Sequence, residues 1–389
     1  MMRRFAVTVV LVLVVFGAGC HTPPPATPPH ARAKLAIWCE FMPYNDVIPT
    51  LPVLAAYNCD LLLHVGPLDV GDPALAELCR EARRQNVNVA AWFLLPYEDH
   101  LYVGEETVDA IRDLSLRFTA WAQRADLGVQ WVVFDCEPSP LLGKRLFEIA
   151  RHGRLISLAE TLRAEQDPER FEQSVTRLNA LIDDLHTAHM NVMGAGNRAF
   201  LDFLRHDNIA VQDALNAPFS MIHWDRASFI SYRYKASQPQ YVAMINRYAE
   251  LAHEYFGERA ALDLGLLGDQ RNIPEHRERA ELFGGGDEFM EYLDGMRSVY
   301  DLEEVAGVAL GRGVQYINLY SLDGAVTSVA GLDRWLKAAA DSRPITGWEC
   351  WTPLSSAKIG LQGVLLDGLF RGMVGTTART PEKVEIANP

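Results

Sequence analysis

Eight short runs of strand-forming residues, separated by helical patterns, constrain this chain more than any other feature. They occupy positions 35–41, 60–66, 87–95, a stretch opening at Trp131, 191–196, part of 219–234, 260–267 and 314–321. Several are apolar at consecutive positions, as strands buried on both faces are. Between them lie segments with helical spacing. Positions 73–86 place Leu75 and Leu78 three apart and finish on Arg83 and Arg84, and 107–124 and 332–340 follow the same logic. Strands alternating with helices predict a parallel sheet, and a count of eight predicts a closed (β/α)8 TIM barrel. An open doubly wound sheet is the alternative, but no GxGxxG follows the first run.

The connections add detail. Positions 141–189 are charged and helical in pattern, longer than one crossover helix requires, and are expected to form an insertion over the barrel. The glycines of 191–196 are expected to leave open space, and Gly284 to Gly286 form a hinge or loop. After Pro344 comes an extension with Trp348, Trp351 and an apolar stretch over 359–370, expected to pack on the barrel.

The beginning of the chain has a different character. Arg3 and Arg4 precede an apolar core at 9–16, and Gly17, Ala18 and Gly19 lead into Cys20. Charge, apolar core and small residues in that order form an export signal, with an apolar run too short for a comfortable span. A cysteine directly after small residues resembles a bacterial lipoprotein signal. That resemblance implies lipidation of Cys20 and a cell-envelope, extracytoplasmic location, held to the membrane through the anchor. A plain secretory signal is the other reading. Positions 21–33 are rich in proline and read as an extended tether. The expected organisation is a signal over 1–20, a tether over 21–33, a barrel domain over 34–342 and a C-terminal extension over 343–389.

A net charge of -14 argues against nucleic acid as a partner and suits a neutral or cationic ligand. The six cysteines contain no CxxC pair, so neither a zinc ribbon nor a dense disulfide framework is expected.

The chemistry is expected where the fourth run ends, at Asp135-Cys-Glu-Pro-Ser-Pro140. Strand alternation puts Trp131, Val133, Asp135 and Glu137 on one side and Val132, Phe134 and Cys136 on the other. Two acids at the C-terminal end of a barrel strand, stopped by prolines, stand where catalytic groups of such barrels lie. A pair of solvated acids is the plainer alternative. The same alternation turns Asp263 and Gly265 inward if Leu262, Leu264 and Leu266 face the helices. It also turns Tyr316, Asn318 and Tyr320 inward, and Trp92 with them. A cup results, lined by Glu40, His64, Trp92, Asp135, Glu137, Asn318 and Tyr320. In the sixth run either Ser231 and Arg233 or Tyr232 and Tyr234 face in. Trp224 and Asp225 join the candidate ligand contacts, as does Tyr232. Trp92 and Trp224 would serve equally as core aromatics.

Acids among aromatic walls suit carbohydrate, because sugar C–H faces stack on rings while hydroxyls need carboxylates and amides. The Asp-x-Glu at 135–137 resembles the fourth strand of chitinase-like glycoside hydrolases, and more loosely that of barrel lysozymes. The resemblance implies a glycosidase acting on a polysaccharide or glycoconjugate. Glu137 would be the proton donor, and Asp135 its partner in orienting a substrate N-acetyl group. The chitinase pattern has further acids two and five positions before Asp135, where this chain has Val133 and Gln130. Two other readings stand beside it. One is a non-catalytic carbohydrate-binding TIM barrel. The other is a metal-dependent barrel hydrolase or isomerase, its metal held by His64, Glu40, His223 and Asp225. No HxH or HExxH supports the last, and no metal or other cofactor is expected.

Overall fold

The computed structural model describes residues 32–346 apart from 153, 205–207, 235 and 283–294. The expected export signal with Cys20, the expected tether up to 31, the triple glycine and the extension from 347 lie outside the described residues. The eight strands are β1 (Lys34–Cys39), β2 (Asp60–Val65), β3 (Val89–Phe93), β4 (Trp131–Cys136), β5 (Asn191–Asn197), β6 (Arg226–Tyr232), β7 (Ala260–Gly265) and β8 (Tyr316–Tyr320). All pair in parallel in sequence order, and β8 returns to β1 with Ala36 opposite Asn318. The closed (β/α)8 barrel expected from the strand count is the fold of the chain.

Alternation along each strand divides the apolar residues between two cores. Ile37, Leu61, Leu63, Phe93, Phe134, Leu262, Leu264, Ile317 and Leu319 face the helices in one large buried cluster. Ala36, Trp38, Leu62, Trp92, Val133, Met193 and Ala195 fill the barrel itself. Burial on both faces explains why these strands read as nearly continuous apolar runs. Leu266 departs from the expected alternation: β7 ends at Gly265, and Leu266 packs with the interior cluster.

The glycines of β5 do not open space in the interior. Gly194 faces outward, and a Cβ there would lie 2.4 Å from the Trp224 ring; Gly196 likewise meets Phe219. Trp224 occupies the room that these glycines leave and donates its indole N–H to Phe219 O at 2.9 Å.

The base of the barrel, at the N-terminal ends of the strands, is closed by a column of cations and rings. The Arg226 guanidinium lies 3.6 Å from the Tyr316 ring centroid and 4.5 Å from that of Trp131. Lys34 Nζ lies 4.5 Å from the Tyr316 centroid and donates to its hydroxyl at 3.1 Å. One layer higher, Asp263 is fully buried at the centre. Its Oδ1 accepts from Trp38 Nε1 at 3.0 Å, Ser228 Oγ at 2.7 Å and Asn318 Nδ2 at 2.8 Å.

The β4–β5 connection is three helices, Pro140–Arg151, Leu155–Glu165 and Pro168–Thr187. The last packs on β5 and on the helix Val108–Arg124 as the crossover proper. The first two form an added layer, with a small core of Leu162, Ala210 and Ala214 against Leu146, Leu158 and Leu215. Polar contacts fasten the start of the third helix to its surroundings. Arg170 Nε donates to the buried Glu105 carboxylate at 2.6 Å, and Asp167 N to Asp213 Oδ1 at 2.8 Å. At the other end of the chain, Ile345 N donates to Gly307 O at 2.9 Å, and a Cβ on Gly311 would overlap Ile345 O. Among the described residues no helix is long and apolar enough to cross a membrane.

Candidate active site

The C-terminal ends of the strands gather Glu40, His64, Trp92, Asp135, Glu137, Tyr232 and Tyr320 around one mouth. Asp135 is buried on the last turn of β4, and its backbone oxygen accepts from Val103 N at 2.8 Å. Glu137, two residues on, is half-buried where the strand gives way to Pro138. Glu137 lies one residue past the end of β4, beside the inward-facing Asp135.

β6 resolves in favour of its tyrosines. Tyr232 packs into the interior cluster, its ring centroid 5.0 Å from that of Tyr320 and 5.8 Å from that of Tyr234. Burial raises the Tyr232 phenol well above its usual value, and the charges of Asp263 and Asp135 add to this. Burial, then the negative charge of Glu137, raises the Tyr234 phenol. Tyr234 therefore stands beside the acid pair and remains partly exposed at the rim.

The opposite side of the mouth is built from β1, β2 and β8. Glu40 follows the last residue of β1 and is buried, with Tyr320 of β8 donating its hydroxyl to Glu40 Oε2. The Asp323 carboxylate accepts from the backbone N–H groups of Glu40, Phe41 and Met42, at 3.2, 3.0 and 2.8 Å. His64 Nδ1 lies 3.2 Å from Glu40 O, and Tyr44 donates its hydroxyl to His64 O at 3.2 Å. Burial holds the Asp323 carboxyl above the usual range despite these N–H bonds, and the charge of Glu40 adds to the rise.

Aromatic rings line the space between. Trp92 sits edge-on to Trp38, with centroids 4.8 Å apart, and 6.2 Å from the His64 ring. Its indole N–H is buried and has no acceptor among the described residues. His276 is also buried; its ring lies edge-on to Phe41 at 4.9 Å and its Nε2 is 3.1 Å from Gln270 Oε1. Neither Asp323 nor His276 was found from the sequence. Both come from connections after the strands, where the two-residue period no longer operates.

Three candidates lie elsewhere. Asn318 points inward, but one layer below the mouth, with its amide nitrogen committed to Ser228 and Asp263. Trp224 and Asp225 precede β6 and lie at the N-terminal end of the barrel, away from the mouth. Trp224 packs outside the sheet against Phe134 and Phe219. Asp225 accepts from Val192 N at 2.7 Å and pairs with His186 at 2.8 Å. A metal site joining His223 and Asp225 to His64 and Glu40 would need groups from both ends of the barrel. Among the described residues, no three His, Cys, Asp or Glu side chains are grouped to hold a metal ion.

The arrangement offers three carboxyl groups, from Glu40, Asp135 and Glu137, at an aromatic-walled opening. Such a site can give and take protons around a ligand that presents both hydroxyls and apolar faces.

No protein-family model matches the chain, and no curated protein sequence does. The chain is similar to several solved structures. The glycoside hydrolase domain of PgaB (BpsB) from Bordetella bronchiseptica is 12% identical, with 80% of this chain and 99% of that chain covered and a TM-score of 0.46. The spore cortex-lytic enzyme SleL of Bacillus megaterium is 12% identical over 82% of this chain and 76% of that one, with a TM-score of 0.48. A D-psicose 3-epimerase from Clostridium cellulolyticum is 10% identical over 88% and 100%, with a TM-score of 0.38.

Proposed function

We propose that the protein is a lipid-anchored, extracytoplasmic glycoside hydrolase that cleaves a polysaccharide or glycoconjugate, with Glu137 as proton donor and Asp135 as its partner. The observation that carries this reading is the placement of the acid pair. It ends β4 at the C-terminal mouth of a closed barrel, among Trp92, Tyr232, Tyr234 and Tyr320. The buried indole N–H of Trp92, without an acceptor among the described residues, adds a donor for a sugar oxygen.

The chemistry follows from the pair. At strand spacing two such positions would stand about 7 Å apart. An ionised Asp135 makes loss of the Glu137 proton harder, and apolar walls strengthen the effect. Glu137 then gives its proton to the glycosidic oxygen as the bond to the anomeric carbon breaks. The rate should follow a bell-shaped pH profile whose alkaline limb belongs to Glu137.

Glu137→Gln should abolish turnover of any oligosaccharide that the wild-type protein cleaves, with binding kept within about tenfold, a difference of about 1.4 kcal/mol. Full activity in that variant would end the assignment. Sugar binding without turnover by the wild-type protein would establish a binding barrel instead. The anchor has its own test. Cys20→Ser should move the protein from the membrane to the soluble fraction, and retention on the membrane after signal removal would refute lipidation.

A further inference from the structure

A glycosidase needs a second group besides its proton donor, and Asp135 is already engaged in keeping that donor protonated. Glu40 is a further acid at the mouth, and its backbone and side chain are both held. Its backbone N–H is bound by the Asp323 carboxylate, its carbonyl by His64, and its carboxylate accepts the Tyr320 hydroxyl. Asp323 in turn fixes the next two N–H groups of the same turn. Three N–H groups thus offset the burial of the Asp323 carboxylate and fix the turn that carries Glu40. A phenol O–H that donates to a carboxylate favours its ionised form. The Glu40 carboxylate is thus fixed in one orientation with a donor on Oε2, the positioning a general base needs before substrate arrives.

We infer that Glu40 is the catalytic base, and Tyr320 the residue that positions it, in an inverting hydrolysis; this rests on the glycosidase reading above. The topology supports opposite approaches. Glu137 follows β4, whereas Glu40 follows β1 and is bound by β8, the strand across the barrel from β4. An acid and a base on opposite sides leave room for a water between them and the sugar. In the step, the water oxygen bonds to the anomeric carbon and gives one proton to Glu40. The bond to the leaving oxygen breaks, and that oxygen takes the Glu137 proton. Glu137 ends as carboxylate and Glu40 as carboxylic acid, and solvent returns the proton between turnovers. No group other than water and the sugar is consumed. The chitinase-like reading of Asp135 implies the other outcome, in which a substrate N-acetyl group attacks and configuration is retained.

The test follows the anomer first formed from β-linked N-acetylglucosamine oligosaccharides by proton NMR, together with the kinetics of Glu40→Gln and Tyr320→Phe. Inversion is expected. Glu40→Gln should lower kcat by about 10²–10⁴-fold. Tyr320→Phe should move the acidic limb of the pH profile upward by about one unit, because Glu40 loses the donor that keeps it ionised, while the plateau stays within about tenfold. A merely structural role for Tyr320 would lower the rate at every pH and leave the limb in place. Net retention overturns the inference and leaves the glycosidase reading intact. So does a Glu40→Gln protein within tenfold of wild type when Glu137→Gln is inactive. Failure of the wild-type protein to cleave any of these sugars overturns both.

Discussion

Replacing Asp263 by asparagine should make the protein more stable at neutral pH and leave its stability unchanged in acid. Asp263 is fully buried at the centre of the barrel, and burial lifts its carboxyl from 3.8 to about 6, against the lowering effect of its bonds from Asn318, Ser228 and Trp38. Those donors all reach Oδ1, and the buried Oδ2 has no partner among the described residues. Asn318 Oδ1 on the neighbouring strand is likewise buried and unpartnered, so both leftover atoms are acceptors. A proton on Asp263 turns one of them into a donor. Because the folded value exceeds the unfolded one, the stabilisation from this group is complete below about pH 3.8. It is lost as pH rises through about 6 and is flat beyond. A rise of about two units corresponds to about 3 kcal/mol across that window. Asparagine keeps the Oδ1 acceptor, has no charge to bury and cannot titrate. Urea unfolding of both proteins, followed by tryptophan fluorescence between about pH 4 and about pH 7.5, isolates the effect as a difference. The variant should gain about 3 kcal/mol relative to wild type across the range. A difference that stays constant would refute the claim that Asp263 is buried as a reluctant anion.

Other outcomes follow from the same geometry. Gly194→Ala should lower the urea midpoint by the equivalent of about 1–3 kcal/mol, because the new methyl collides with Trp224 while the mouth is untouched. Burial raises Glu105 to about 7 against the opposing pull of Arg170, so its contribution is lost as pH rises from about 4.5 through about 7. Glu105→Gln should remove that slope from the unfolding free energy, and an unchanged slope would show that Arg170 neutralises the site. Asp323→Ala should leave three backbone N–H groups of the Glu40 turn without their acceptor, lowering both the urea midpoint and the Glu40-dependent rate.

The barrel was legible in the sequence because each strand is buried on two faces and each is followed by a helical period. The inward sets Trp92, Asp263 and Tyr316-Asn318-Tyr320 follow from alternation alone. What failed was phase and end position. Without a known start for β6, Trp224 and Asp225 were grouped with the mouth, whereas the strand begins at Arg226 and leaves them at the other end. The glycines of β5 gave no sign of which face they opened, since their size is explained only by a tryptophan from the next connection. The clamp on Glu40 was beyond reach for a different reason: Asp323 lies 283 residues away, and only barrel closure brings β8 beside β1.

The column of Lys34, Tyr316, Arg226 and Trp131 at the base also bears on how the proposed polymer would meet this protein. Rings and cations occupy the floor, and Asp263 with its partners fills the layer above, so side chains pack the barrel axis below the mouth. A long chain cannot thread through the barrel and must lie across the rim or dip one end into it. Both fragments of a cut chain would then leave by the door through which the whole one came.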